Sequence, residues 1–72
     1  MDRKLMQDFL TLAEQEVTEG HMLILDQRTR IAVALLERRD PAKLRQLLEA
    51  LIDSQKKLEA KRDYILAQLS RY

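Results

Sequence analysis

Apolar residues recur every three or four positions along almost the whole chain, which is the spacing typical of α-helices. In the first half of the chain, one row at this spacing comprises Met6, Phe9, Ala13, Val17, Gly20, Ile24, Arg28, Ile31 and Leu35. Phe9, Gly20 and Ile31 are eleven residues apart. Such a repeat, about 3.67 residues per turn, predicts an almost straight first helix.

The second half of the chain carries a regular seven-residue repeat of the kind found in coiled coils. Its members are Leu44, Leu48, Leu51, Gln55, Leu58, Arg62, Ile65 and Leu69. Leu47, Ile52 and Leu66 widen this apolar stripe, as expected for a helix that packs on a core. Gln55 is the polar core position best suited to set the register of the helix pair.

The strongest break in the pattern lies at residues 37–41. Pro41 has a fixed φ and no N–H, so it suits the first position of a helix, and Asp40 can cap that helix with its carboxylate. Arg38 and Arg39 suit the last turn of the preceding helix, where cations meet the negative end of the dipole. Asp2 is a suitable N-cap for the first helix.

These signals predict an all-α fold, a single domain over residues 1–72. Its helices would span about residues 3–38 and 41–71 and form an antiparallel two-helix hairpin. Folding the chain at the break places Gly20 near Leu58 and the acidic residues 1–27 beside the basic residues 54–72. The alternative is one continuous helix kinked at the proline.

The first helix has more apolar surface than one partner helix can cover. Thr18 and the five residues after it at helical spacing form a second stripe about 140° around the axis, at 100° per residue. Those five are the predicted interface: Met22, Leu25, Thr29, Val33 and Leu36. Because exposed apolar patches mark interfaces, we expect a second copy to cover the stripe, giving a homodimeric four-helix bundle. A different helical protein is the alternative partner.

Composition argues against some classes of protein without identifying a function. With 46% apolar residues and a net charge of +1, the 72-residue chain is not typical of disordered proteins. It has no cysteine, its first residues lack the apolar core of a signal peptide, and its longest apolar run is Met22–Leu25. We therefore expect a cytoplasmic protein that is not associated with a membrane.

Residues suited to catalysis or metal binding are sparse. His21 is the single histidine, and position 18 is a threonine where a carboxylate-bridged metal site needs a glutamate. Glycine-rich phosphate loops and a cysteine nucleophile are both missing. We expect no enzyme activity, no cofactor, no metal and no small-molecule substrate.

The predicted turn is basic, with six lysine or arginine residues against two acids in residues 28–45. Arg38, Arg39 and Lys43 could contact phosphates or an acidic partner there. The near-zero net charge and the lack of interleaved aromatic residues favour a solvated helix end over a nucleic-acid interface. Weak nucleic-acid binding through this turn therefore stays an alternative function.

One set of residues resembles a group of short bacterial helical-hairpin proteins of unknown role. The resemblance depends on Leu12-Ala13-Glu14, Val17, Glu19-Gly20, Ile24, Gln27-Arg28, Ile31, Leu36-Glu37-Arg38, Leu47-Leu48, Ser54-Gln55, Arg62-Asp63 and Leu69. Members often carry a glycine in the turn, where this chain has Arg39-Asp40-Pro41. The resemblance implies a shape and no catalytic residues.

In architecture the chain also resembles the small helical-hairpin co-chaperones of bacterial type III secretion systems. That resemblance implies a larger helical partner bound through one face. The sequence therefore predicts a small non-catalytic interaction or adaptor protein, with a secretion co-chaperone as the alternative.

Overall fold

The structure is a computed structural model that describes residues 2–71. It contains two helices, α1 (Arg3–Leu36) and α2 (Ala42–Leu69), and no strand within these residues. The helices pack side by side in antiparallel directions along a rod of 54 × 14 × 13 Å. The predicted all-α hairpin is confirmed, and the alternative of one continuous kinked helix is wrong.

The end of α1 differs from the prediction. The helix stops at Leu36, so Arg38 and Arg39 lie beyond its last turn rather than within it. Arg38 adopts a left-handed φ of 57°. Its N–H donates to the Leu35 carbonyl (3.1 Å), and the Arg39 N–H donates to the Ala34 carbonyl (2.8 Å). This is the Schellman pattern, with arginine at the position where glycine is usual.

The start of α2 differs from the prediction by one residue. Pro41 precedes the helix rather than forming its first residue, and its carbonyl accepts from the Arg45 N–H (2.9 Å). The Asp40 carboxylate accepts from the Ala42 N–H (3.0 Å), so it satisfies an otherwise unpaired N–H in the first turn. At the other end of the chain, Asp2 caps α1 by accepting from the Lys4 N–H (3.1 Å), as predicted.

The core of α1 follows a seven-residue repeat, so the predicted repeat of eleven is wrong. Phe9, Arg28 and Leu35 are exposed, and Leu10, Gln27 and Ala34 take their places against α2. The row facing α2 comprises Met6, Leu10, Ala13, Val17, Gly20, Ile24, Gln27, Ile31 and Ala34. Small side chains occupy three of its positions, which lets the two helices approach closely.

Gly20 lies against Gln55 of α2, not against Leu58 as predicted. A Cβ added at Gly20 would collide with the Gln55 side-chain carbonyl oxygen, so the amide occupies space that only glycine leaves open. Gln55 Nε2 donates to the Val17 carbonyl of α1 (2.8 Å). In the opposite sense, Gln27 Nε2 donates to the Leu44 carbonyl of α2 (2.8 Å). Two buried glutamines thus join the helices reciprocally.

Candidate functional site

The hairpin has two open flanks, each marked by a polar side-chain contact between the helices. On the first, the Lys61 ammonium donates to the Glu16 carboxylate (3.0 Å). On the second, His21 Nε2 lies 3.2 Å from a Glu59 carboxylate oxygen. We call these the Lys61 flank and the His21 flank. The side chains of both pairs are about half exposed, so either pair contributes little to stability.

The Lys61 flank extends along both helices, because residues seven apart lie on the same side of each helix. On α1 it comprises Leu5, Phe9, Leu12, Glu16, Glu19, Leu23, Asp26, Arg30 and Val33, and on α2 Lys43, Leu47, Ala50, Ser54, Lys57, Lys61, Tyr64 and Gln68. A groove of about 480 Å³ opens on it between Phe9, Leu12 and Ile65. A second groove, of about 320 Å³, lies near the turn.

The His21 flank holds a groove of about 570 Å³, larger than the two grooves described on the Lys61 flank. Ile24, Leu25 and Ile52 give it an apolar floor, and Gln55 lies at its base. Gln55 Oε1 is buried and has no hydrogen-bond partner among the described residues. A neighbouring groove of about 340 Å³ continues towards the turn and shares Ile52 with the first.

Exposed apolar side chains are distributed unequally. Nine of the twelve large apolar side chains exposed in the described residues belong to α1. By helical position, seven of the twelve lie on the Lys61 flank: Leu5, Phe9, Leu12, Leu23, Val33, Leu47 and Tyr64. The His21 flank has three, namely Leu25, Leu35 and Leu66. The Lys61 flank is therefore the most apolar open surface of the hairpin.

The five residues of the predicted interface are all exposed, but they do not form one compact patch. Thr29 and Val33 line the groove near the turn on the Lys61 flank. Leu25 lines the large groove on the opposite flank. Met22 and Leu36 lie on the outer face of α1, directly away from α2, and are 64% and 85% exposed. Their role in binding stays a prediction.

The basic residues of the turn are also exposed, without converging on one point. Arg39 Nε donates to the Glu37 carboxylate (3.0 Å), which neutralises part of the local charge. Arg38 occupies the left-handed position of the helix end, and Lys43 forms no ion pair. Nucleic-acid binding here would show as steeply salt-dependent binding that charge reversal at Arg38, Arg39 and Lys43 abolishes.

Metal binding has no geometric support in residues 2–71, where no group of three histidine or carboxylate side chains could hold an ion. Across the same residues, neither helix is long and apolar enough to cross a membrane.

The hairpin exposes a large area for its mass. A compact monomer of 8.5 kDa exposes about 4,700 Å². This chain exposes 5627 Å², which is roughly 900 Å² more than that expectation. Each partner in a standard protein–protein interface buries about 800 Å². The excess therefore has the size of one interface.

The chain matches no family model, no curated protein and no solved structure. The resemblance to short bacterial hairpins and to secretion co-chaperones stays a prediction.

Proposed function

We propose that this protein is a small non-catalytic interaction protein that acts as a homodimer of hairpins, with α1 as the main contacting helix. The observation that carries the proposal is the large apolar surface of α1. Nine large apolar side chains of α1 stay exposed although α2 packs against this helix, whereas α2 exposes only three. The excess area of the single hairpin matches the area that one partner buries.

A second copy is the simplest cover for this surface, because two-fold dimers are the commonest protein oligomers. Two hairpins packed together make a four-helix bundle, an architecture with a larger shared core than one hairpin provides. Eight residues are buried within residues 2–71, which is a small core, and oligomerisation is a usual way to stabilise such small folds.

Molar mass in solution tests the proposal directly. Light scattering over about 1–100 µM should show a species of twice 8.5 kDa that dissociates on dilution. The double variant Leu25→Glu with Val33→Glu should shift this equilibrium towards the monomer. Gln46→Glu with Ala60→Glu, which adds the same charge on the outer side of α2, is the matched control. A wild-type protein that stays monomeric throughout would overturn the proposal.

A larger helical partner is the second candidate, as expected for a co-chaperone. It is favoured by the outer face of α1, where Leu36 and Met22 are 85% and 64% exposed and neighbouring Leu25 is 61% exposed. Purification from the native cell separates the two functions. A stoichiometric partner that displaces the homodimer would support the co-chaperone, whereas recovery of the homodimer alone would exclude a constitutive partner.

A further inference from the structure

We propose that two copies associate through the Lys61 flank about a two-fold axis parallel to the helices, so that α1 of each copy packs against α2 of the other. This inference rests on the proposed homodimer and specifies its surface and orientation. It is carried by the separation of charge between the two edges of the flank, by the sizes of the side chains at matching levels, and by the exposed area described above.

Charges of opposite sign occupy the two edges of the Lys61 flank. The α2 edge carries three basic residues, Lys43, Lys57 and Lys61, and no acid. All four acids of α2 lie on its other sides, at positions 49, 53, 59 and 63. The α1 edge carries three acids against one base: Glu16, Glu19, Asp26 and Arg30.

Part of this charge is not used within the hairpin. Glu16 pairs with Lys61 across the flank, and Asp26 pairs with Arg30 along α1 (3.0 Å). Glu19 and Lys57 form no ion pair, although both belong to the same flank. Opposite charges of this kind remain available for a second molecule.

Two symmetric arrangements can bring this flank against itself, and charge distinguishes them. An axis perpendicular to the helices places α1 on α1 and α2 on α2, which opposes like charges across both contacts. An axis parallel to the helices places each acidic α1 edge on the basic α2 edge of the other copy. Both arrangements are antiparallel between neighbouring helices, as in up-down four-helix bundles, so helix direction does not distinguish them. Electrostatic complementarity therefore selects the parallel axis.

Side-chain size agrees with the same arrangement. An axis parallel to the helices keeps each residue at its own level, and the Gly20–Gln55 contact and the Glu16–Lys61 pair fix which residues share a level. Leu23 of one copy then meets the level of Ala50 and Ser54 in the other, where small side chains leave room. At the neighbouring level, Glu19 faces Lys57 of the second copy.

The His21 flank lacks this self-complementarity. Its α2 edge mixes Arg45 and Lys56 with Glu49, Glu59 and Asp63, and its α1 edge combines Glu14 with Lys4 and Arg28. Neither symmetric arrangement is favoured by such a mixed pattern. With only three of the exposed large apolar side chains of the described residues, it also offers less area to bury.

Charge reversal measured by sedimentation equilibrium tests the orientation. Glu19→Lys and Lys57→Glu should each raise the dimer Kd about tenfold or more, because each changes two ion pairs per dimer from attractive to repulsive. The double variant, with both charges exchanged, should return the Kd to within about threefold of wild type. Glu14→Lys and Lys56→Glu, which make the same charge changes on the opposite flank, are the matched controls and should have little effect. Circular dichroism checks that every variant keeps its helix content.

Each contrary result has a separate meaning. A dimer tightened by Glu19→Lys would show α1 facing α1 and would overturn the parallel axis. Dissociation by Leu25→Glu but not by Leu23→Glu would move the contact away from the Lys61 flank and leave the proposed homodimer intact. Equal loss of dimer in the controls would also overturn this inference. A wild-type protein that is monomeric at all concentrations would overturn the proposed function as well.

Discussion

Replacing Gly20 by alanine should reveal how closely α1 and α2 approach. In the interior of an ordinary helix this change is stabilising by about 1 kcal/mol, because glycine loses more backbone freedom on folding. Here the added Cβ would collide with the Gln55 amide. The flexible end of Gln55 must then move, and the large groove on the His21 flank gives it somewhere to go. We therefore expect a repositioned side chain rather than a displaced helix.

Two opposing contributions determine how much Gly20→Ala changes the free energy of unfolding. Moving the amide removes the 2.8 Å hydrogen bond from Gln55 to the Val17 carbonyl, which costs about 1 kcal/mol. The helix propensity of alanine contributes a gain of similar size. Gly20→Ala should therefore change the free energy of unfolding of the wild-type protein by less than about 1 kcal/mol. In a Gln55→Ala background, where no amide is displaced, the same change should stabilise by about 1 kcal/mol or more.

The measured quantity is the coupling between the two changes, expected to be about 1–2 kcal/mol. Urea denaturation of the four proteins, followed by circular dichroism at one fixed protein concentration, gives it directly. Gly20→Ala in a Lys56→Ala background is the control, since Lys56 is the exposed neighbour of Gln55, and it should be additive. An effect of Gly20→Ala that is the same with and without Gln55 would refute the contact.

The two helix ends that meet at the turn give further predictions. Arg38→Gly should stabilise the hairpin by about 0.5–1 kcal/mol, because glycine adopts the left-handed φ of 57° without a Cβ penalty. Arg38→Ala keeps that penalty and is the control. Unchanged stability in the glycine variant would contradict the reasoning. Asp40→Ala should destabilise by about 0.5–2 kcal/mol, because it removes the acceptor for the Ala42 N–H. Asp40→Asn retains an acceptor, so a loss equal to that of alanine would argue against capping. Thermal denaturation resolves both effects in a chain of this length.

The two helices and their boundary were predictable from the sequence because the signals there are local. Pro41 and Asp40 interrupt the helical pattern wherever the rest of the chain lies, and the α2 repeat is carried by large apolar residues. The end of α1 was less predictable. A left-handed arginine at position 38 is set by the geometry of the turn rather than by its own preference.

The register of α1 could not be read from apolar residues alone. Phe9 and Leu35 are large and fit a helical spacing, so they outweigh Gln27 and Ala34 in any count of hydrophobicity. In the structure the row with Gln27 and Ala34 faces α2, because its smaller side chains let α2 approach. Gln27 can be buried there because its amide donates to the Leu44 carbonyl. The seven-residue spacing of Gly20, Gln27 and Ala34 is the signal in the sequence that could have indicated it.

The predicted eleven-residue repeat of α1 also prevented the candidate site from being identified. The sequence indicates an acidic half of α1 beside a basic end of α2, and the Glu16–Lys61 pair agrees with it. Only the seven-residue repeat, however, places Glu19 and Leu23 on the same flank as Lys57. With a repeat of eleven, the residues of the Lys61 flank on α1 would lie on different sides of the helix and would not form one continuous surface.

The two reciprocal glutamines determine how the helices can slide. A shift of α2 by one heptad would still bury leucines, but it would remove Gln55 from the single glycine of the chain and press its amide against a larger residue. Gln27 would have to leave the Leu44 carbonyl at the same time. A hairpin with leucine at positions 27 and 55 would tolerate such sliding, whereas this chain favours a single alignment of α1 and α2. The residues of each flank therefore keep fixed positions along the rod relative to a bound partner.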